Sequence, residues 1–136
     1  MTKAYLDANV IVRLITGDPP GMADRAERLF RRVDEGDLEL VVETIVVAET
    51  VWVLSSFYGF SSADIAPVMS AFLVGNGILC EEKVEILQAL ALYADRNIDF
   101  ADALLAVKMI REGATQIYSF DDHFNRLESI HRLDPG

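Results

Sequence analysis

The feature that most constrains the fold of this 136-residue chain is the alternation of short apolar runs with segments of helical periodicity. The first apolar run ends at Leu6, and residues 10–16 follow it as a short helix. Further strands are predicted at residues 38–42, 78–81, 115–120 and 130–133. Strands and helices in alternation favour a parallel sheet covered by helices. We therefore expect an α/β fold in one domain, residues 1–136, with a central, mostly parallel sheet of four to five strands and helices on both faces.

One predicted helix, residues 44–58, carries apolar side chains on nearly every face. Because a helix that is hydrophobic all round is usually buried, we expect this one to lie in the core. Glu49 is conspicuous there, since a buried carboxylate without a partner is energetically costly. An exposed position, or a contact with the positive end of the helix dipole, is the alternative interpretation of Glu49.

The preceding helical segment places Arg25, Arg28 and Arg32 on one face. We expect this arginine stripe to be a solvated face whose charges pair with acidic residues nearby: Asp24, Glu27 and Glu35. Contact with RNA phosphates or with an acidic partner is the alternative.

The charge balance restricts the possible partners. The chain has 22 acidic and 12 basic residues and a formal charge of −10. An acidic balance argues against nucleic-acid binding through general attraction, because phosphate affinity usually comes from Lys and Arg. The argument reverses if some carboxylates converge and bind divalent cations that then face a phosphate.

Cysteine content and hydropathy narrow the compartment. Cys80 is the only cysteine, which excludes an intrachain disulfide and a thiolate metal cluster within one chain. The apolar run at the amino terminus is broken by Asp7, Asn9 and Arg13, unlike a signal peptide. The longest uncharged segment, residues 65–80, is too short for a spanning helix. We expect a soluble, cytoplasmic protein that does not contact the membrane.

Four acidic residues occupy positions that a parallel sheet would bring to one edge. Asp7 and Asp121 follow predicted strands, while Glu49 and Asp102 lie near the starts of predicted helices. Ligands bind at this carboxyl edge in open α/β sheets. For Asp7 alone, capping of the following helix is an equally good interpretation.

Two of the acids, Asp99 and Asp102, are three residues apart at the start of one helix. Asp99 is well placed as the N-cap, and the helix is predicted to end at Arg111 with Gly113 just beyond. Residues at this spacing share a helix face, so both carboxylates can point toward one place. Favourable placement of two acids near the helix dipole is the alternative.

Four converging carboxylates would repel one another unless a cation were bound. An oxygen-only set of ligands suits Mg²⁺ or Mn²⁺ rather than zinc. Such a site can activate water and stabilise the charge that develops in phosphodiester hydrolysis.

Four stretches of the chain together resemble a known family. They are Leu6-Asp7-Ala8-Asn9-Val10, the helix containing Ala48-Glu49-Thr50, the block Asp99-Phe100-Ala101-Asp102-Ala103-Leu104-Leu105, and Ser119-Phe120-Asp121-Asp122. In this order and at these separations they resemble a PIN-domain ribonuclease of the VapC toxin type. The likeness runs from end to end of the chain.

The resemblance implies a metal-dependent endoribonuclease that is the toxin of a toxin–antitoxin pair. It assigns metal binding to Asp7, Glu49, Asp102 and Asp121, and supporting polar roles to the following three residues: Asn9, Asp99 and Ser119. It also implies an RNA substrate, a cognate antitoxin and a homodimer. The region around Trp52 and Phe57 is available for such contacts, although we expect it to pack in the core. Asp122 is either near the site or on the surface.

Other functions fit the sequence less well. A phosphatase with an aspartate nucleophile resembles Asp-x-Asp, but Asn9 stands at the second position. The chain has no Walker lysine motif and no nucleophile elbow. The remaining alternative is a catalytically idle PIN-fold module that binds other proteins, and the retention of all four acids argues against it.

Overall fold

The computed structural model of the protein describes residues 2–136. The chain forms two compact units, the first ending at Lys83 and the second comprising Val84–Gly136. The elements of the first unit are β1 (Thr2–Tyr5), α1 (Ala8–Thr16), α2 (Pro20–Asp34), β2 (Leu38–Val41), α3 (Thr44–Ser56), α4 (Ser62–Leu73) and β3 (Ile78–Leu79). Those that follow are α5 (Lys83–Arg96), α6 (Phe100–Arg111), β4 (Gln116–Tyr118), a 3₁₀ helix (Asp122–Arg126) and β5 (His131–Leu133).

The sheet of the first unit is parallel, with β2 between β1 and β3. Tyr5 lies opposite Val41, and Leu40 lies opposite Ile78. Leu38 and Leu40 are buried, as expected for a central parallel strand covered by helices. The predicted α/β architecture with a parallel sheet is confirmed.

The second unit contains a parallel pair, in which Gln116 of β4 lies opposite His131 of β5. The five predicted strands are therefore present, but they are divided between a three-stranded and a two-stranded sheet. The apolar pattern of a strand marks its existence and not its hydrogen-bonding partner, so the sequence did not reveal this division.

Local signals in the sequence explain the ends of these helices. Ser61 caps α4 by accepting a hydrogen bond from the backbone N–H of Asp64 at 3.2 Å. The last helix, α6, ends at Arg111 as predicted, and Gly113 follows it with a φ of +75°. A positive φ is readily adopted by glycine because it has no Cβ.

The prediction that α3 lies in the core was wrong for one of its sides. The helix buries a stripe formed by Val47, Thr50, Val51 and Leu54. By contrast, Ile45 and Trp52 are 76% and 67% exposed, and Phe57, just beyond the helix, is 77% exposed. The neighbours of α3 are α1 and α4, and they cover the side of the helix that carries the buried stripe. The side with Ile45 and Trp52 is left exposed.

The arginines of α2 also differ from expectation. Arg25, Arg28 and Arg32 are exposed, as predicted for a solvated face. Within residues 2–136, however, none of the three forms an ion pair with an acidic side chain. The expected pairing with neighbouring carboxylates was therefore wrong, and the three guanidinium groups are free of ion pairs with residues 2–136.

Two further features are the hydropathy of the helices and the state of the single cysteine. Among the helices of the described chain, none combines the length and the apolar character that crossing a membrane requires. Cys80 is free and half-buried, and this burial raises the pKa of its thiol. A raised pKa keeps the Cys80 thiol protonated near neutral pH, which is typical of a cysteine that packs and does not react.

Candidate active site

Asp7 lies between β1 and α1 and is the N-cap of that helix. Its Oδ1 atom accepts a hydrogen bond from the backbone N–H of Ala8 at 2.8 Å. The capping role considered from the sequence is therefore real. The side chain is also exposed, and its Oδ2 atom has no hydrogen bond to any residue from 2 to 136. One oxygen caps the helix, and the other is available to a ligand.

Asn9 follows in the first turn of α1 and is exposed. Together with residues of α2 it lines a groove between the two helices. The carboxamide is thus placed within two residues of Asp7, where it can contact a ligand bound at the start of α1.

Glu49 lies in the second turn of α3, and its side chain is exposed. Of the two interpretations of Glu49 given from the sequence, a buried carboxylate or an exposed one, the exposed position is correct. Ile45 lies one turn before Glu49, and Trp52 three residues after it, so all three share the exposed face of the helix. Asp7 and Glu49 thus follow neighbouring parallel strands, β1 and β2, on helices that pack together.

In the second unit, Asp102 lies in the first turn of α6 and is partly buried. This burial raises the pKa of the Asp102 carboxyl, and the negative charges of Asp99 and Asp121 raise it further, while His123 opposes the rise. Asp99 and Asp121 are therefore each close enough to repel the carboxylate of Asp102. The structure brings these three predicted site residues together.

Asp99 occupies the predicted N-cap position of α6, but its side chain makes no capping hydrogen bond. The sequence therefore predicted the start of α6 correctly, but the side-chain capping bond expected of Asp99 is absent. The exposed carboxylate of Asp99 therefore acts on Asp102 by charge.

Asp121 is held in place by both of its neighbours. Its backbone N–H donates to the Oγ of Ser119 at 2.9 Å, and its Oδ1 accepts from the backbone N–H of His123 at 2.8 Å. Arg132 of β5 donates to the carbonyl oxygen of Ser119 at 2.8 Å. The hydroxyl of Ser119 therefore orients Asp121 through its backbone N–H.

His123 is a residue of this site that sequence reasoning missed. One ligand atom each from Asp121, Asp122 and His123 lies within 4.8 Å of the others. The Nδ1 atom of His123 lies 3.2 Å from Oδ1 of Asp121. The only signal in the sequence was the run of these three residues after β4, and it places Asp122 beside the site.

The donor set fits a hard divalent cation. Carboxylate oxygens are the ligands that Mg²⁺ and Mn²⁺ prefer, and a bound cation would relieve the repulsion around Asp102. Asp7 and Glu49 supply oxygen atoms in the first unit, and Asp102 and Asp121 supply them in the second. The convergence of all four on one cation site stays a prediction.

Comparison with known proteins identifies the family. The sequence profile of the PIN domain matches residues 4–130, which is most of the chain. The chain belongs to the PIN domain family. A relative of this PIN domain, the VapC ribonuclease of Aquifex aeolicus (strain VF5), is 28% identical over 122 residues, 90% of either chain. A crystal structure of VapBC2 from Rickettsia felis bound to a DNA fragment from their promoter aligns over 98% of both chains, with 17% identity and a TM-score of 0.38.

Membership of the PIN domain family confirms the resemblance inferred from the four sequence stretches. In this PIN domain the predicted acids lie in or beside the expected elements. Asp7 follows β1, Glu49 lies in the second turn of α3, Asp102 lies in the first turn of α6, and Asp121 follows β4.

Proposed function

We propose that this PIN-domain protein is a metal-dependent endoribonuclease that hydrolyses RNA phosphodiester bonds as the toxin of a toxin–antitoxin pair. The observation that carries the proposal is the acidic cluster at Asp102: Asp99 and Asp121 both repel its partly buried carboxyl, and a ligand atom of Asp121 lies within 4.8 Å of those of Asp122 and His123. Burial and two like charges are tolerated there at a cost, which a bound divalent cation would offset. Similarity to the VapC ribonuclease of Aquifex aeolicus supports the choice of RNA as substrate.

The metal ligands in this proposal are Asp7, Glu49, Asp102 and Asp121, and the metal is Mg²⁺ or Mn²⁺. Bound at these carboxylates, the cation would supply an activated water and neutralise charge on the phosphate. Asp7 keeps one oxygen on the Ala8 N–H, which fixes the direction of the other.

Three polar residues support the acids. Ser119 orients Asp121 through its backbone N–H, and Asp99 adds negative charge beside Asp102. Asn9 contacts substrate or water at the start of α1. His123, through its contact with Asp121, restricts that carboxylate to one orientation.

The antitoxin contact is proposed at the exposed face of α3. Ile45 and Trp52 form apolar surface on either side of Glu49. A partner peptide that buried these two side chains would also cover Glu49, which would couple binding to inhibition. Exposed apolar surface of this kind commonly marks a protein interface.

We also propose a homodimer in the cytoplasm. The exposed Phe57 and Phe60 at the end of α3 offer apolar surface for a second copy. Light scattering of the purified protein tests this: a mass of two chains that falls to one chain in Phe57→Ser supports the dimer, and a single-chain mass for the unmodified protein contradicts it.

Cleavage of a labelled cellular RNA pool tests the activity. The antitoxin-free protein is assayed with Mg²⁺, with Mn²⁺ and with EDTA, beside Asp102→Asn. Asp95→Asn is the matched control, because it removes one exposed carboxylate of α5 outside the proposed site. We expect metal-dependent cutting that Asp102→Asn abolishes and Asp95→Asn retains, with all proteins folded by circular dichroism. Absence of both cutting and metal binding in the unmodified protein would replace this proposal with the idle binding module.

A further inference from the structure

A groove of about 290 Å³ lies between α1 and α2 in the first unit. It is lined by residues that recur at helical spacing on the two helices: Asn9, Val10, Arg13, Met22, Arg25, Ala26 and Leu29. None of them is acidic, although acidic residues outnumber basic ones in the chain by 22 to 12. The groove is therefore positively charged in a protein whose overall charge is −10.

Arg13 is held at this groove by residues outside it. One guanidinium nitrogen, Nη1, donates to the hydroxyl of Tyr58 at 3.3 Å and to the carbonyl of Asp18 at 3.4 Å. Tyr58 in turn donates to a carboxylate oxygen of Asp18 at 3.0 Å. The Nε atom of Arg13 is shielded from solvent and has no hydrogen-bond partner in the described part of the chain. A ligand cannot reach this shielded atom. The remaining guanidinium nitrogen, Nη2, is neither shielded nor hydrogen-bonded within residues 2–136, so it is the donor of Arg13 that a ligand in the groove can reach.

Arg25 supplies the second positive charge from the α2 side. It is exposed and free of ion pairs with residues 2–136, and Arg28 and Arg32 continue the same stripe along the helix. Unpaired guanidinium groups bind phosphate through two parallel hydrogen bonds. A line of such groups suits a ligand that repeats its negative charge at regular intervals.

The rest of the groove is apolar. Met22 is 47% exposed, and Val10 and Leu29 are partly buried beside it. Apolar side chains next to a cationic group can contact the sugar and base of a nucleotide whose phosphate binds the cation. The groove also includes Asn9, only two residues beyond the candidate metal ligand Asp7.

We propose that this groove holds the RNA strand beside the bond that is cut. Arg13 and Arg25 bind one backbone phosphate, while Met22 and Leu29 contact the adjoining nucleotide. The inference rests on the proposed ribonuclease function and adds the path of the substrate. It also resolves the difficulty of an acidic protein acting on RNA, because the arginines that face the substrate are not neutralised.

The test measures RNA binding without cleavage. Asp102→Asn protein is titrated with Mg²⁺ present into two fluorescein-labelled RNAs, a single strand and a stem–loop, and anisotropy is followed over a range of salt concentrations. The variant Arg25→Gln is added to this background. The matched control is Arg31→Gln, an exposed arginine about 120° away around α2 that does not line the groove.

We expect Arg25→Gln to weaken binding of at least one RNA about tenfold, as loss of a charged hydrogen bond predicts. The slope of log affinity against log salt should fall by about 0.7 for a single strand, the value for one lost phosphate contact. Arg31→Gln should stay within about twofold of the background, as expected for an exposed charge that makes no contact.

Several results would overturn the inference. They are no RNA binding in the Asp102→Asn background, equal losses in the Arg25 and Arg31 variants, and unchanged RNA binding in the Arg25→Gln variant. RNA cleavage separates this inference from the proposed function. If Arg25→Gln in the otherwise unmodified protein cuts RNA at the unmodified rate, the role of the groove is refuted and the ribonuclease function stands. If the unmodified protein cuts no RNA, the proposed function itself is refuted.

Discussion

Asp7 has two interpretations, helix cap and metal ligand, and substituting it with Asn or with Ala separates them. Asn caps a helix about as well as Asp, because its side-chain oxygen also accepts a hydrogen bond from a backbone N–H. Asn carries no charge, so it is a poor ligand for Mg²⁺. Ala can neither cap the helix nor bind a cation. The two variants should therefore differ in stability and agree in activity.

The structure sets the expected size of the stability difference. The bond lost in Asp7→Ala is the 2.8 Å hydrogen bond from the Ala8 N–H. Loss of an N-cap costs about 1 kcal/mol when its bond reaches the N–H of the second or third helical residue, so this value is the upper limit for a bond to the first residue, Ala8. In a protein of 136 residues this corresponds to a midpoint of thermal unfolding roughly 3–5 °C lower. Asp7→Asn keeps the bond and loses only the charge at the helix start, which costs about 0.3–1 kcal/mol. Asp7→Ala loses this charge as well, so it should be the less stable variant by the contribution of the bond.

Thermal unfolding followed by circular dichroism gives the first readout, and Mn²⁺ titration with RNA cleavage gives the second. Both variants should be inactive in RNA cleavage, and their affinity for Mn²⁺ should fall at least tenfold. Removal of even an indirect contact to a metal ligand typically lowers metal affinity about tenfold, so removal of a direct ligand should cost no less. Asp7→Asn protein that cleaves RNA at the unmodified rate would refute the reasoning and leave Asp7 as a helix cap only.

Three further predictions concern single positions. Ser119→Ala removes the acceptor for the Asp121 N–H, so it should reduce the cleavage rate and lower the free energy of unfolding by about 1 kcal/mol. Ser119→Thr keeps a hydroxyl acceptor and should retain both the cleavage rate and the stability in the same assays. Gly77→Ala places a Cβ 2.6 Å from a methyl group of Val33, at a φ of +80°. Denaturant unfolding should therefore show a fall in the free energy of unfolding larger than the roughly 1–2 kcal/mol of left-handed backbone strain. Gly36→Ala, at a φ of +84° with open space around the added Cβ, should lose only the strain energy. Asp102→Asn should raise the unfolding midpoint of the metal-free protein at neutral pH. The raised pKa of Asp102 means that its ionised form opposes folding, so this gain should shrink as the pH falls and the unmodified carboxyl becomes protonated; a constant gain would contradict the charge argument.

The distribution of charge explains how an acidic chain can act on RNA. The net charge of −10 includes carboxylates that the proposal assigns to metal binding, where they attract rather than repel a phosphate through the cation. Arg25, Arg28 and Arg32 lie together on α2, free of ion pairs with any residue from 2 to 136. Net charge alone therefore says little about substrate, and the position of each charge decides.

The sequence by itself determined the order of the elements and most of their ends. Ser61 and the stop after Arg111 act through hydrogen bonds and dihedral angles within a few residues, so their effects are visible in the local pattern. The same locality placed Asp7 and Asp121 directly after strands and Asp102 in a first turn. The family resemblance followed from these positions.

Only the tertiary structure decided which surfaces are exposed and which groups meet. α3 is apolar on nearly all sides, so no periodicity in its sequence marks the face with Ile45 and Trp52 as exposed; its packing against α1 and α4 does. The pairing of β4 with β5 and the repulsion around Asp102 likewise join groups from separate elements. Contacts between residues distant in the chain have no local signature, because packing geometry rather than neighbouring sequence selects the partner.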